Sequence, residues 1–157
     1  TVNLLGIEYQ KLTNRKNDLA NKIIAAFTAN TITVIQDEML QHWQKGLFGK
    51  QVQHSVLGRV KVGLKDREDV AVLCRSLPTT KLCTGCGKLN DMPLDMRIYA
   101  CACGIPEQDR DVHAARNMVW LYEHNVGVGR TEMKRGEIRE AVEKALEKEQ
   151  TRGQKNR

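Results

Sequence analysis

Aromatic residues are scarce in this chain: two Phe, two Trp and three Tyr make up 4% of 157 residues. So few rings argue against an extended platform on which successive nucleic-acid bases would stack. No apolar run reaches the length that spans a membrane. The first residues lack the charged and apolar regions of a secretory signal. A soluble, intracellular protein is expected. There is no internal repeat, which argues against a solenoid. There is also no Met at position 1, and Thr1 opens a segment that reads like the middle of a protein. The expectation is a piece of a longer polypeptide.

What is present bounds the chain further. Its length suits one domain, or one domain with a small insert, and allows a real core. The net charge is +6 and the pI about 9.2, which fits a polyanionic partner. There are five cysteines. Two disulfides and a spare would be one account of them. The paired short spacings without a secretion signal favour zinc in a reducing compartment. Cys74, inside the run Val70-Ala71-Val72-Leu73-Cys74, reads as a small buried hydrophobe.

Along the chain, Leu12, Leu19, Ile23 and Phe27 recur at helical spacing and predict an amphipathic helix over 8–29, with Asn30 at its end. Thr31 to Ile35 is β-branched throughout and predicts a buried strand running into Gln36-Asp37-Glu38. Trp43 to Lys50, with Gly46 and Gly49, reads as a loop. A helix over 52–64 follows, then a polar turn over 66–69 and a second strand at Val70–Leu73. Strand, helix, strand implies a βαβ crossover and parallel pairing. Met96 to Tyr99 predicts a short strand, and Val112 to Glu123 a helix ended by Asn125 to Gly129. The tail from Thr131 is charged and helix-prone to about Glu149, with disorder expected beyond. Lys144, Lys148 and the glutamates among them read as a solvated helix face. Trp43 and Trp120 read as core or interface residues.

Cys83-Thr-Gly-Cys86 and Cys101-Ala-Cys103 are the strongest chemical signal. Four thiolates satisfy tetrahedral zinc with no open position, so the site is structural. Fourteen residues separate Cys86 from Cys101, which suits a ribbon of two hairpins. The second pair is Cys-x-Cys, a tighter knuckle than Cys-x-x-Cys.

Acidic residues supply a second signal. Asp37 and Glu38 fall at a strand end, and Asp109 and Asp111 at a helix start. Metal-assisted phosphodiester cleavage draws carboxylates from separate segments onto Mg²⁺. Each also has an ordinary account: Asp109 as a helix cap, Asp37 and Glu38 as a solvated loop. His113 reads as a packing or hydrogen-bonding residue. Lys81, Arg97 and Arg110 flank the cysteine loop and are candidates for phosphate contacts, or simply solvated charges. Lys45, Lys50, His54 and Arg59 carry a weaker signal of the same kind.

In order and spacing, Leu77-Pro78-Thr79-Thr80-Lys81-Leu82-Cys83-Thr84-Gly85-Cys86-Gly87, Cys101-Ala102-Cys103-Gly104 and Asp109-Arg110-Asp111-Val112-His113-Ala114-Ala115-Arg116-Asn117-Met118 resemble the C-terminal half of TnpB (OrfB). These are transposon-associated, RNA-guided endonucleases related to the type V CRISPR effectors. The resemblance runs from about Leu19 to Gly129 and is densest from Leu77 to Met118.

The resemblance implies an α/β fold: a partial RuvC-like domain of ribonuclease H type, interrupted by a zinc ribbon that contacts the target strand. The implied division is 1–76 for part of the nuclease domain, 77–108 for the ribbon, 109–130 for the last nuclease segment, and 131–157 for a charged, partly disordered tail. It implies a DNA endonuclease using structural zinc at Cys83, Cys86, Cys101 and Cys103 and catalytic Mg²⁺ at Glu38, Asp109 and Asp111. Asp111 falls at the family's last catalytic Asp, Asp109 at its companion, and His113 at its usual Asn. Glu38 is preferred for the catalytic Glu by residue type, with Asp37 and Gln36 as alternatives. Gln36 in that place would leave the site weakened or dead. The family's first catalytic Asp, in an Asp-x-Gly strand, has no counterpart between Thr1 and Asn30. The implied partners are DNA, a guide RNA through the parent protein, and the rest of the parent polypeptide, with no membrane. The implied location is the bacterial or archaeal cytoplasm. Two other readings stand beside this one: a nuclease-inactive, guide-dependent DNA-binding regulator, and a stand-alone zinc-ribbon DNA-binding module.

Overall fold

A computed structural model of the chain describes residues 4–29, 31–47, 49–65, 67–93 and 95–155. In chain order the elements are α1 (Leu4–Thr28), β1 (Thr33–Gln36), α2 (Leu40–Trp43), α3 (Gly49–His54), α4 (Leu57–Lys65), β2 (Val70–Leu73), β3 (Ile98–Tyr99), β4 (Gln108–Asp109), α5 (Arg110–Glu123) and α6 (Arg135–Lys155). Helices and strands mix as the sequence leads one to expect. They divide into two compact units: residues 1–33 with 38–71, and residues 34–37 with 72–157.

In the first unit α1 packs on α4 through small residues. A Cβ on Gly63 would come within 2.4 Å of Ile24 Cδ1, so glycine permits that close approach. Ala20 and Leu64 are buried there, while Leu12, Leu19 and Phe27 of the expected apolar stripe stay exposed. The predicted helix over 52–64 is broken. Ser55 Oγ donates to the Val52 carbonyl at 2.7 Å and accepts from Leu57 N–H at 3.3 Å. A serine hydroxyl that offers the backbone these bonds competes with the helical ladder, so α3 ends and α4 restarts. The expected loop at 43–50 is bracketed by α2 and α3. Gly49 is required at the join, because a Cβ would lie 1.9 Å from the Gln44 carbonyl oxygen. Trp43 is half exposed rather than a core residue. Asn30, expected as a helix end, and Asp66, in the expected turn, lie outside the described residues. Arg67 grips Asp69 with two bonds, Nε to Oδ1 at 2.8 Å and Nη2 to Oδ2 at 2.9 Å, ahead of β2.

β1 and β2 are neighbours in one sheet. Thr33 N–H donates to the Asp69 carbonyl and Asp37 N–H to the Leu73 carbonyl, each at 2.9 Å. Both strands advance by four residues between these bonds, so they run parallel, as the crossover predicts.

In the second unit Cys74 N–H donates to the Gly127 carbonyl and Gly129 N–H to the Val72 carbonyl. The segment after α5 thus lies antiparallel along β2, with Leu73 bridged to Val128. Asn125, Gly127 and Gly129 hold positive φ of 55°, 71° and 67°, which lets the chain turn tightly off the helix. The core gathers Leu73, Cys74, Leu77, Leu82, Leu121, Val126 and Met133 with Ile138, Val142 and Ala145 of α6. Cys74 is fully buried, as read from its apolar run.

The charged tail is therefore more than a solvated helix. Ile138, Val142, Ala145 and Leu146 recur at i, i+4, i+7 and i+8 and pack the inner face of α6 against the core. This anchoring extends the helix to Lys155, past the point where disorder was expected. Glu149 is held from α5 by Trp120 Nε1–H at 3.1 Å and by His124 Nε2 at 3.2 Å.

Candidate metal centre

The cysteine loop is built from two tight turns. Leu82 and Leu89 bridge antiparallel. Cys83 N–H donates to the Lys88 carbonyl at 2.8 Å, and Gly87 N–H to the Cys83 carbonyl at 2.7 Å. Gly87 holds φ +73°. The second turn is closed by Gly104 N–H on the Cys101 carbonyl. β3, between the turns, pairs antiparallel with β4, which follows the second turn, with Ile98 opposite Asp109 and Tyr99 opposite Gln108. Strand β4 was not anticipated, because two polar residues carry no periodic signal.

The turns bring the four sulfurs together, all within 4.8 Å of one another. Cys83 Sγ lies 3.5 Å from Cys103 Sγ, and Cys86 Sγ 3.7 Å from Cys101 Sγ. Zinc–sulfur bonds of about 2.3 Å set tetrahedral edges of about 3.8 Å, so the donor set fits zinc. The Cys-x-Cys knuckle therefore presents both its sulfurs. Among the described residues this is the one group of three or more such side chains able to hold a metal. Burial pushes the Cys83 thiol up to about 12, helped by its bonds to Cys103 and Cys86. Burial also raises Cys86. Cys101 is held down to about 6, first by the Cys103 backbone N–H and then by the Asn90 amide. Loading a cation converts all four to thiolates and releases protons.

A buried polar chain ties this centre to α5. His113, Asn117 and Leu121 form the buried face of that helix. His113 Nε2 lies 2.8 Å from the Leu82 carbonyl oxygen, which can only accept, so Nε2 carries the proton. Nδ1 then accepts from Gln108 Nε2 at 3.0 Å. The ring stacks on Tyr99 with centroids 3.4 Å apart. Burial lowers the His113 pKa and favours the neutral ring. Asn117 Nδ2 donates to the Thr79 and Leu82 carbonyls, both at 2.7 Å. His113 is thus the packing and hydrogen-bonding residue expected.

The chain continues to β1. Gln36 Nε2 donates to the carbonyls of Cys74 at 3.2 Å, Arg75 at 3.3 Å and Leu77 at 2.8 Å. Gln36 Oε1 accepts from Thr79 Oγ1 at 3.2 Å. Gln108, Asn117 and Thr79 were not singled out from sequence. An Asn four residues after a His on the inner face of a helix was the available hint.

The acidic residues are placed as follows. Asp109 caps α5, Oδ1 accepting from Asp111 N–H at 2.8 Å and Val112 N–H at 3.1 Å. These two bonds, Val112 first, hold its carboxyl below the usual range. Asp111, next in the first turn, has a side chain 79% exposed and 3.6 Å from Arg110 Nε. Arg110 folds back, Nη1 donating to the Met96 carbonyl at 3.1 Å. Asp37 lies 3.7 Å from Arg75 in the same unit. Glu38 belongs to the first unit, where its backbone carbonyl accepts from Lys61 Nζ. Of the proposed phosphate contacts, Lys81 lies 3.4 Å from Asp91 and Arg97 is exposed. No helix among the described residues is long and apolar enough to cross a membrane.

A mixed α/β scaffold with a four-thiol loop and a capped helix start is the class that this geometry defines. The family description "Cas12f1-like, TNB domain" matches residues 65–118, which hold the thiols and the helix start. A protein of Streptomyces pristinaespiralis, provisionally named an RNA-guided DNA endonuclease, is 28% identical over 119 residues. That alignment covers 71% of this chain and 29% of the relative, so the chain spans under a third of the relative's length. These likenesses support a relation to TnpB/Cas12-type proteins.

Proposed function

We propose that the chain is the C-terminal portion of the nuclease domain of an RNA-guided DNA endonuclease, working with DNA, a guide RNA and the rest of its polypeptide in a bacterial or archaeal cytoplasm. The observation that carries this reading is the coincidence of three features in residues 65–118: the family match, the gathered thiols and the acid-capped helix start. The parallel β1–β2 pair is consistent with a RuvC-like sheet.

In this reading zinc is structural. Cys83, Cys86, Cys101 and Cys103 hold it and fix the ribbon against α5 through His113. Asp109 secures the start of α5 by capping it, which leaves Asp111 presented to solvent one residue on. Asp111, Glu38 and an Asp supplied upstream would hold Mg²⁺, which activates water and stabilises the leaving oxygen of a phosphodiester. Lys81, Arg97 and Arg110 would neutralise strand phosphates around the ribbon.

Cleavage of a guide-matched DNA by the full-length protein with Mg²⁺ tests the reading. Asp111→Ala should abolish cutting and leave DNA binding intact. Full cutting by that variant would remove Asp111 from the site.

A second reading is favoured by Gln36. Its amide donates to three carbonyls, a task that a carboxylate cannot perform. If position 36 is the family's Glu place, the protein binds guided DNA without cutting it, and the same assay then returns binding with no product.

A further inference from the structure

The four thiols of the metal centre are unequally covered. Cys83 is fully buried, Cys86 and Cys101 are half-buried, and Cys103 is exposed. The residues on either side of Cys103, Ala102 and Gly104, are exposed as well, and neither carries a side chain large enough to shield its sulfur. A Cβ on Gly104 would meet no atom within 4 Å, so this turn lies open. The exposed sulfur is also set against the deepest one. Cys103 Sγ lies 3.5 Å from Cys83 Sγ, and Cys101 Sγ lies 3.7 Å from Cys86 Sγ, so each of these pairs joins one knuckle to the other. A disulfide brings its sulfurs to about 2.05 Å, which asks Cys103 and Cys83 to close by about 1.5 Å. The fifth thiol, Cys74, is fully buried in the larger core.

We propose that Cys103 is an oxidation site, at which hydrogen peroxide converts the Cys103 and Cys83 thiolates into a disulfide across the two knuckles, with release of zinc. This rests on the zinc reading of the four thiols and is independent of the cleavage reading. Zinc ligation keeps the sulfurs as thiolates, which are the nucleophiles that peroxide meets. In the first step the Cys103 thiolate attacks one peroxide oxygen and the O–O bond breaks. Cys103 becomes a sulfenic acid and hydroxide leaves. In the second step the Cys83 thiolate attacks the Cys103 sulfur, the S–O bond breaks and a second hydroxide leaves. The two thiolates together lose two electrons, and one peroxide is reduced by them. Two of the four ligands are then gone, and the closed tetrahedral set with them. The consequence is local. Cys83 packs with Met92 and Tyr99, and Tyr99 stacks on His113, so losing the metal loosens the ribbon where it meets α5. The larger core around Leu73, Leu121 and Val142 holds none of the four thiols and stays folded.

The test treats the zinc-loaded chain with hydrogen peroxide and reads zinc release with a chromogenic chelator. Trypsin cuts after Lys81, Lys88, Arg97 and Arg110, which puts Cys83 and Cys86 on peptide 82–88 and Cys101 and Cys103 on peptide 98–110. Mass spectrometry without reductant should find these peptides joined through Cys83 and Cys103 as the first zinc is released. The helical circular dichroism signal should persist, and a phosphine reductant followed by zinc should restore the starting state. Cys103→His keeps a fourth zinc ligand in place of the exposed sulfur and should slow release by about ten-fold. If that variant takes up no zinc, the peptide map of the natural chain decides alone. Zinc retained through excess peroxide would overturn the proposal. So would a first bond within one knuckle or to Cys74, collapse of the helical signal, or release from the zinc-loaded variant at the natural rate. Zinc content before the oxidant separates the two readings. A chain without zinc removes the zinc reading and this proposal together, whereas a loaded chain that resists peroxide removes the proposal alone.

Discussion

Gln36 Nε2 and the Leu77 carbonyl oxygen lie 2.8 Å apart, joining the end of β1 to the segment that enters the zinc ribbon. Two more carbonyls, of Cys74 and Arg75, face the same amide nitrogen, and Thr79 Oγ1 donates to the other end. The three carbonyls fix the amide in this orientation, because its reverse would set an oxygen against acceptors alone.

Replacing Gln36 by Glu should therefore destabilise the second unit. Three carbonyls would meet an anion, and their lost donor costs about 1–3 kcal/mol. Urea denaturation followed by tryptophan fluorescence measures it. Gln36→Glu should not raise cleavage by the full-length protein. A stable variant that gains Mg²⁺-dependent cutting would show that this position is a silenced catalytic one.

Zinc stoichiometry checks the thiol centre. One zinc per chain is expected, and Cys103→Ser, which removes the most exposed ligand of the four, should lower affinity sharply. Metal titration with a chromogenic chelator reads both. Purified chain with no zinc and four freely alkylated thiols would exclude the assignment.

His113 gives a pH dependence. Burial depresses its folded pKa below the ordinary 6.5. Above 6.5 the ring is neutral in both folded and unfolded chains, and its stabilising effect is complete. As pH falls through 6.5 the unfolded chain takes up a proton that the folded one resists, so stability declines toward the lower folded value. The Tm difference between pH 7.5 and 5.5 should be larger for the natural chain than for His113→Gln. Equal differences would assign the acid sensitivity elsewhere.

Leu121 is fully buried on α5, and its truncation to Ala should cost about 2–5 kcal/mol. Val142→Asp should do more, by placing a charge where α6 meets the core. Thermal melts of both variants measure these losses. A Val142→Asp variant as stable as the natural chain would mean that α6 is not docked.

The thiol centre was legible because its chemistry is written as spacing. Four thiolates at short intervals admit few other uses, and the sulfurs gather as predicted. β2 was legible for a similar reason, as a run of β-branched and apolar residues between polar ones. The break at Ser55 was not, because one hydroxyl decides it through a local bond that periodicity does not report. The docking of α6 was masked by composition. Its apolar residues are few, and only their placement at i, i+4, i+7 and i+8 makes a face. The N-cap role of Asp109 was legible as the ordinary account of an acid at a helix start, and that is the role it takes. The Gln36–Thr79–Asn117–His113 chain was illegible, since it joins residues that no local pattern connects.

The core of the second unit reaches from Val34 on β1 to Leu146 on α6. Residues 65–118, although recognisable by themselves, hold only part of it, and Val126, Met133, Ile138, Val142 and Ala145 come from later in the chain. The recognisable segment is thus a signature and not a portable module. Grafted alone into another protein, it would carry its metal ligands but leave Leu73, Leu77 and Leu82 facing water.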